Sequence, residues 1–208
     1  MEEKRITERE SLEIITSMIA QTKDRYVGDG NILLLWGYVT VAVAALVWVM
    51  LLLTHNQSWN WLWFLIWIIG GTITPIIARR QEAKFGVKSY SDTLTSHIWS
   101  VVGYSAIVST LCCLVFLFLL HVDSWLAMMV FALVIVPFAE VAQGIIVKEK
   151  SLVIGGMVGL CAGIVTVCCV AGHVALQASW FMPMFIMAFI CMMIIPGHII
   201  NKKAKQQR

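Results

Sequence analysis

Residues 125–147 read WLAMMVFALVIVPFAEVAQGIIV, and the next three are KEK. One ionisable side chain, Glu140, interrupts an otherwise uncharged run, which stops abruptly at a lysine. At about 1.5 Å rise per residue, a helix of this length crosses a hydrocarbon core roughly 30 Å thick. Comparable stretches lie at about 32–54, 60–78, 98–120, 152–172 and 180–200. Hydrophobic residues make up 60% of the 208 and charged residues 13%, with a mean hydropathy of +0.84. Soluble domains carry about 25% charged residues, so this composition cannot clothe a water-facing surface. The apolar runs are continuous and lack the period-2 alternation of barrel strands, which excludes a transmembrane barrel.

The predicted fold is therefore all-α: six transmembrane helices arranged as three hairpins (31–200), preceded by a cytoplasmic amphipathic helix (1–30) and followed by a basic tail (201–208). Charge placement orients it. Lys4, Arg5, Arg9, Lys23 and Arg25 precede the first span; Arg79, Arg80, Lys84 and Lys88 separate the second and third. Lys148 and Lys150 separate the fourth and fifth, and Lys202, Lys203, Lys205 and Arg208 follow the sixth. The opposite connections, HNQS (55–58), HVDS (121–124) and GHVALQAS (172–179), contain neither Lys nor Arg. The positive-inside rule then puts both termini in the cytoplasm. No signal-peptide core is visible in the first 30 residues, so the first span is expected to direct insertion itself.

Tryptophans fit the same frame. Trp59, Trp61, Trp63, Trp125 and Trp180 fall at the outer level and Trp36 and Trp99 near the inner one, the pattern of an interfacial aromatic belt. The six cysteines, Cys112, Cys113, Cys161, Cys168, Cys169 and Cys191, all lie within spans and form no CxxC pair. They read as packing residues, and neither a disulfide framework nor a zinc site is expected.

Two halves of the pattern suggest an internal repeat. WGYVTVAVAAL (36–46) and VGYSAIVSTLC (102–112) both carry Gly-Tyr at the inner end of an odd span, each followed by an outer histidine, His55 or His121, and then Ser-Trp. Gly159 and Ser179-Trp180 extend the pattern to a third hairpin, and Pro75, Pro137 and Pro196 recur in the even spans. In the fifth span Gly155, Gly159 and Gly163 repeat every four residues, a face that admits close helix approach, either within the chain or in a homo-oligomer.

The segments ESLEIITSMIAQTKDR, LLLWGY, GIIVKEKSLVIGG and IIPGHIINKKAK together resemble a family of uncharacterised six-span integral membrane proteins of Bacteroidetes. The shared features are the N-terminal helix, Trp36-Gly37, Gly155-Gly156 and Pro196-Gly197; His198 stands where the family more usually has an aromatic. The resemblance runs over nearly the whole chain. It implies the same topology in a bacterial inner membrane and brings no catalytic residues with it.

Thr7-Glu8-Arg9-Glu10 fits a capping box, and Leu12, Ile15, Ile19, Thr22 and Tyr26 follow at helical spacing until Gly28 and Gly30. Such a helix either lies on the bilayer or docks a cytoplasmic partner. Within the membrane, Glu140 shares a face with Pro137, Gln143 and Gly144, and its Cα lies roughly 10 Å from the inner end of its span. Thr72, Thr74 and His198 sit at similar depth and complete a candidate polar site, with Arg79 and Arg80 just below. Two readings stand: an interhelical bond that fixes packing, or a proton- or cation-responsive site. The outer histidines His55, His121 and His173 are expected to be solvated, and no metal or cofactor is called for.

No Ser/His/Asp set, HExxH, phosphate-binding loop or paired acidic cluster occurs, so an enzyme is not expected. Dispersed, membrane-tethered cations also argue against nucleic acid. The expected function is a regulatory or scaffold protein engaging a cytoplasmic partner. The alternative is a small proton- or cation-coupled transporter or channel built around Glu140.

Overall fold

Backbone N–H and C=O groups find no water inside a bilayer, so a spanning segment has to satisfy them itself, and a helix does so locally. The computed structural model describes residues 30–85 and 90–206, together with Thr7, Leu12, Glu13 and Thr16. Six helices cover most of them: α1 (Asn31–Thr54), α2 (Phe64–Phe85), α3 (Tyr90–Leu119), α4 (Trp125–Val147), α5 (Lys150–Ala171) and α6 (Ala178–Gln206). No strand occurs among the described residues. All six helical segments are long and apolar enough to cross a membrane, α2 together with its 3-10 lead-in Gln57–Trp63. The chain is a multi-pass membrane protein.

Each hairpin packs on itself, and the hairpins join through α4 against α5 and through α1 against α6. The core draws Val43, Ala44 and Val47 from α1, Met129 and Leu133 from α4, and a ladder of Phe181, Phe185, Phe189 and Met192 from α6. Helix α6 is therefore central, whereas α3 packs mainly on α4 and leaves Val101, Tyr104, Val108, Leu111, Val115 and Phe118 exposed. In a membrane protein such a face meets lipid.

Several boundaries differ from the sequence expectation, each for a local reason. Asn56 caps the 3-10 segment through the Ser58 N–H, and Asn60 links Gln57 to the Trp63 indole, so the second span begins as a tighter coil. The helix that contains the third apolar run begins at Tyr90, ahead of the run expected from about 98. The basic tail expected over 201–208 is helical to Gln206, because Asn201 and Lys203 bond across to other elements and Ala204 is buried. The amphipathic helix expected over 1–30 lies outside the described residues, apart from Leu12, Glu13 and Thr16, which are helical, and Thr7. Thr16 there donates its hydroxyl to the Leu12 carbonyl at 2.7 Å.

Trp63 and Trp125 are buried within the bundle. Trp125 meets Trp61 and Phe64 edge-on at 5.4 and 6.1 Å, and Trp63 meets Phe185 at 5.8 Å, which ties α2 to α4 and α6 at the histidine end of the bundle. The histidines themselves have a backbone task. His55, His121 and His173 all adopt left-handed φ values of 51°, 53° and 55° just past the ends of α1, α3 and α5. Histidine is among the few non-glycine residues enriched in that conformation. His55 returns its N–H to Leu51, and at His173 the N–H reaches Val170 while Val174 reaches Cys169, closing the last turn of α5.

The glycine face of α5 is filled from within the chain. A methyl on Gly155 would strike the Cys191 carbonyl, one on Gly159 the Met192 sulfur and Pro137, and one on Gly163 the Leu133 carbonyl. This face is covered by α4 and α6, which overturns its use as a dimer interface. Gly163→Ala is expected to lower stability by about 1–3 kcal/mol, since backbone rather than a flexible side chain must give way. Gly103→Ala, which would meet nothing within 4 Å, should leave stability unchanged. Thermal unfolding of both variants in detergent checks the contrast.

Candidate functional site: a buried acid at a three-helix junction

Glu140 is fully buried, and neither carboxyl oxygen has a hydrogen-bond partner. It lies on the face of α4 that carries Pro137 and Gly144, both buried against α5. Because α4 and α5 run antiparallel, Gly144 meets Leu152 and Val153, Val141 meets Gly156, and Pro137 meets Gly156 and Gly159. Glu140 is thus level with Gly155 and Gly156. On the far side of Gly155 is the π segment of α6, Ile190–Ile194.

Two prolines shape this junction. Pro137 has no N–H, so the Leu133 carbonyl loses its helical donor, and that carbonyl lies against Gly163. In α6 the Ile195 N–H is spent on Ile190, and residue 196 is proline. The Cys191 carbonyl therefore has no donor from its own helix, and it lies against Gly155. Glycine admits the backbone approach that places Cα–H groups near these carbonyls. Pro137 and Pro196 also lie beside the α5 glycines Gly159 and Gly155, so the helices meet with little side chain between them.

The polar residues expected to gather around Glu140 have other partners. Gln143 accepts from the Trp99 indole N–H at 2.8 Å, joining α3 to α4. Thr74 accepts from the Trp36 indole at 3.0 Å, joining α1 to α2, where Trp36 lies against Gly70. Thr72 is exposed and donates back to the Ile68 and Ile69 carbonyls. His198 is exposed and its Nε2 lies 2.7 Å from the Tyr38 hydroxyl. Arg79 and Arg80 are exposed. Glu140 is hydrogen-bonded to none of them, and the α5 residues level with it are Gly155 and Gly156.

A second polar constellation, not anticipated from the sequence, binds the basic end together. Gly30 donates its N–H to the Asn201 side chain at 2.7 Å, and Asn201 donates to Asn31 at 2.8 Å. Gly30 and Gly197 approach so closely that a methyl on Gly30 would overlap the Gly197 carbonyl. Nearby, Lys203 reaches both oxygens of Glu149 at 2.7 and 2.8 Å, and Glu149 also caps α5 through Ser151. Burial pushes the Glu149 carboxyl up, but the bonds from Lys203 and Ser151 outweigh it and hold the group below its ordinary range. Lys148 precedes it in a left-handed cap whose cation complements the carbonyl end of α4. The only sequence signals were the adjacency of Lys148, Glu149 and Lys150 and the asparagine after the last apolar run.

Among the described residues no group of three His, Cys, Asp or Glu side chains is placed to hold a metal ion. No protein-family profile, curated protein or solved structure matches the chain significantly.

The Glu149–Lys203 pair gives a signed pH dependence. The folded carboxyl ionises at lower pH than the unfolded one, so its stabilisation is complete above the ordinary carboxylate range and fades as pH falls through the folded value. Lys203→Met should cost about 1–3 kcal/mol at neutral pH, and the gap to the wild type should narrow in acid. Melting curves of the two proteins across that window test it.

Proposed function

We propose that this chain is a non-enzymatic regulator or scaffold of a bacterial inner membrane, with both termini cytoplasmic, that engages a soluble partner at its basic end. The observation that carries the reading is the placement of Gly30 on Asn201. It fixes the start of α1 beside the last turns of α6, where Lys202 and Lys205 are exposed. The proposed partner contacts both this basic end and the sequence that precedes Gly30. The bundle beneath is a poor conduit, because its polar side chains are paired between separate helices rather than aligned along a path.

The hairpins themselves read as a repeat in this proposal. Left-handed histidines end α1, α3 and α5. In the first two hairpins an indole of the odd helix bonds a polar side chain of the even one, Trp36 to Thr74 and Trp99 to Gln143. The glycines do not follow suit: Gly37 is pressed on Met193 and Ile194, whereas Gly103 faces open space. The duplicated feature is thus the hydrogen bond within the hairpin and not the close helix contact.

Photo-crosslinkers at Lys202 and at a position within 1–26 should capture the same soluble protein, and deleting 1–26 should abolish capture at Lys202. Distinct partners, or capture that survives the deletion, overturn the shared partner. Orientation is checked separately. A membrane-impermeant amine reagent should leave Lys202 and Lys205 unlabelled in intact cells and label them in inverted vesicles.

A further inference from the structure

We infer that Glu140 is a proton-binding site whose occupancy keeps the α4–α5–α6 junction closed. Two features of the geometry meet there. Both oxygens of the carboxyl are buried and unpartnered. The α5 residues level with it are Gly155 and Gly156, which carry no side-chain donor. A carboxyl without a donor stays neutral at far lower cost than it carries a bare charge. The junction accommodates the acid and is hostile to its anion.

No described ionisable group is hydrogen-bonded to it. At the α4–α5 connection Lys148 and Lys150 are exposed, and on α5 the thiols Cys161 and Cys168 are exposed and Cys169 is half-buried. On α6 Cys191 is half-buried, His198 is turned to Tyr38, and Lys203 is held by Glu149. On α3 Asp92, His97, Tyr104 and Cys112 are exposed, and the buried Cys113 donates to the Ser124 carbonyl near the histidine end. Ionisation of Glu140 would thus leave an uncompensated charge at the tightest helix contact. The reaction is a simple dissociation: the carboxyl O–H breaks, the electron pair stays on oxygen, and the proton passes to water at the basic end. Nothing is oxidised or reduced. Relief of the buried anion requires α4 to part from the glycine face and admit water, so proton release and opening are one event.

This inference is independent of the partner proposed above, because its test reads the carboxyl itself. Infrared spectroscopy of the whole chain in liposomes should show a neutral-carboxyl C=O band at neutral pH. Of the twelve Asp and Glu residues, Glu140 alone among the described ones lies deep within a span, and its substitution identifies the band. Glu140→Gln, which keeps the shape and donor capacity of the neutral acid, should remove that band. It should also flatten the alkaline loss of melting temperature that the wild type shows. If Glu140→Gln does not fold, titration of the wild-type band alone decides. A carboxylate signature for Glu140 at neutral pH overturns the site. A neutral band accompanied by parallel melting curves overturns its coupling to junction closure.

Discussion

Close approach of helix backbones at α4, α5 and α6 is the constraint on which the rest of this bundle depends. In lipid there is little hydrophobic gain from bringing two apolar helices together, so contact energy has to come from dispersion and from weak polar contacts at short range. Glycine supplies the range. Gly155, Gly156, Gly159 and Gly163 let α5 lie directly on the backbone of its neighbours. Proline supplies unsatisfied carbonyls at Leu133 and Cys191, and both are met by glycine. The pairing at Leu133 and Gly163 joins the second and third hairpins, the one at Cys191 and Gly155 closes the third, and the buried acid is level with the latter.

Polar side chains are used sparingly and at the margins. Trp36 with Thr74 and Trp99 with Gln143 stitch hairpins internally, while Glu149 with Lys203 and Gly30 with Asn201 stitch the basic end. Each of these bonds links two different elements. Glu140 departs from that economy, since it has depth and no partner. A departure of this kind in an otherwise consistent sequence marks a place where something other than packing has shaped the residue.

Hydropathy and the sorting of cations made the helical class and the number of spans legible from the sequence, because both follow from bilayer thickness alone. The glycine face of α5 was legible as a packing surface by its four-residue period, although its neighbours were not. The position of Glu140 on a face with Pro137 and Gly144 was readable from helical spacing, and the structure keeps that face against α5. Its supposed companions were not readable. Depth along a span can be counted, but the azimuth of His198 or Thr72 about its helix depends on which neighbour packs where. That information sits in contacts between residues far apart in the chain, such as Tyr38 with His198. The left-handed histidines were visible as solvated residues at helix ends, yet a positive φ leaves no mark in hydropathy or spacing, so their conformational role was not.

The central place of α6 has a consequence for biogenesis. Five helices enter the membrane before it, and α1 draws much of its buried surface from α6. Until the sixth helix leaves the translocon, α1 has only α2 beside it, and the Phe181–Phe185–Phe189 ladder that joins the two halves is missing. Assembly is thus deferred to the end of synthesis, with the early hairpins held as separate, loosely docked units in the lipid. A chain stalled before Ala178 would present insertion machinery and membrane proteases with an open flank on α1 and a bare glycine edge on α5.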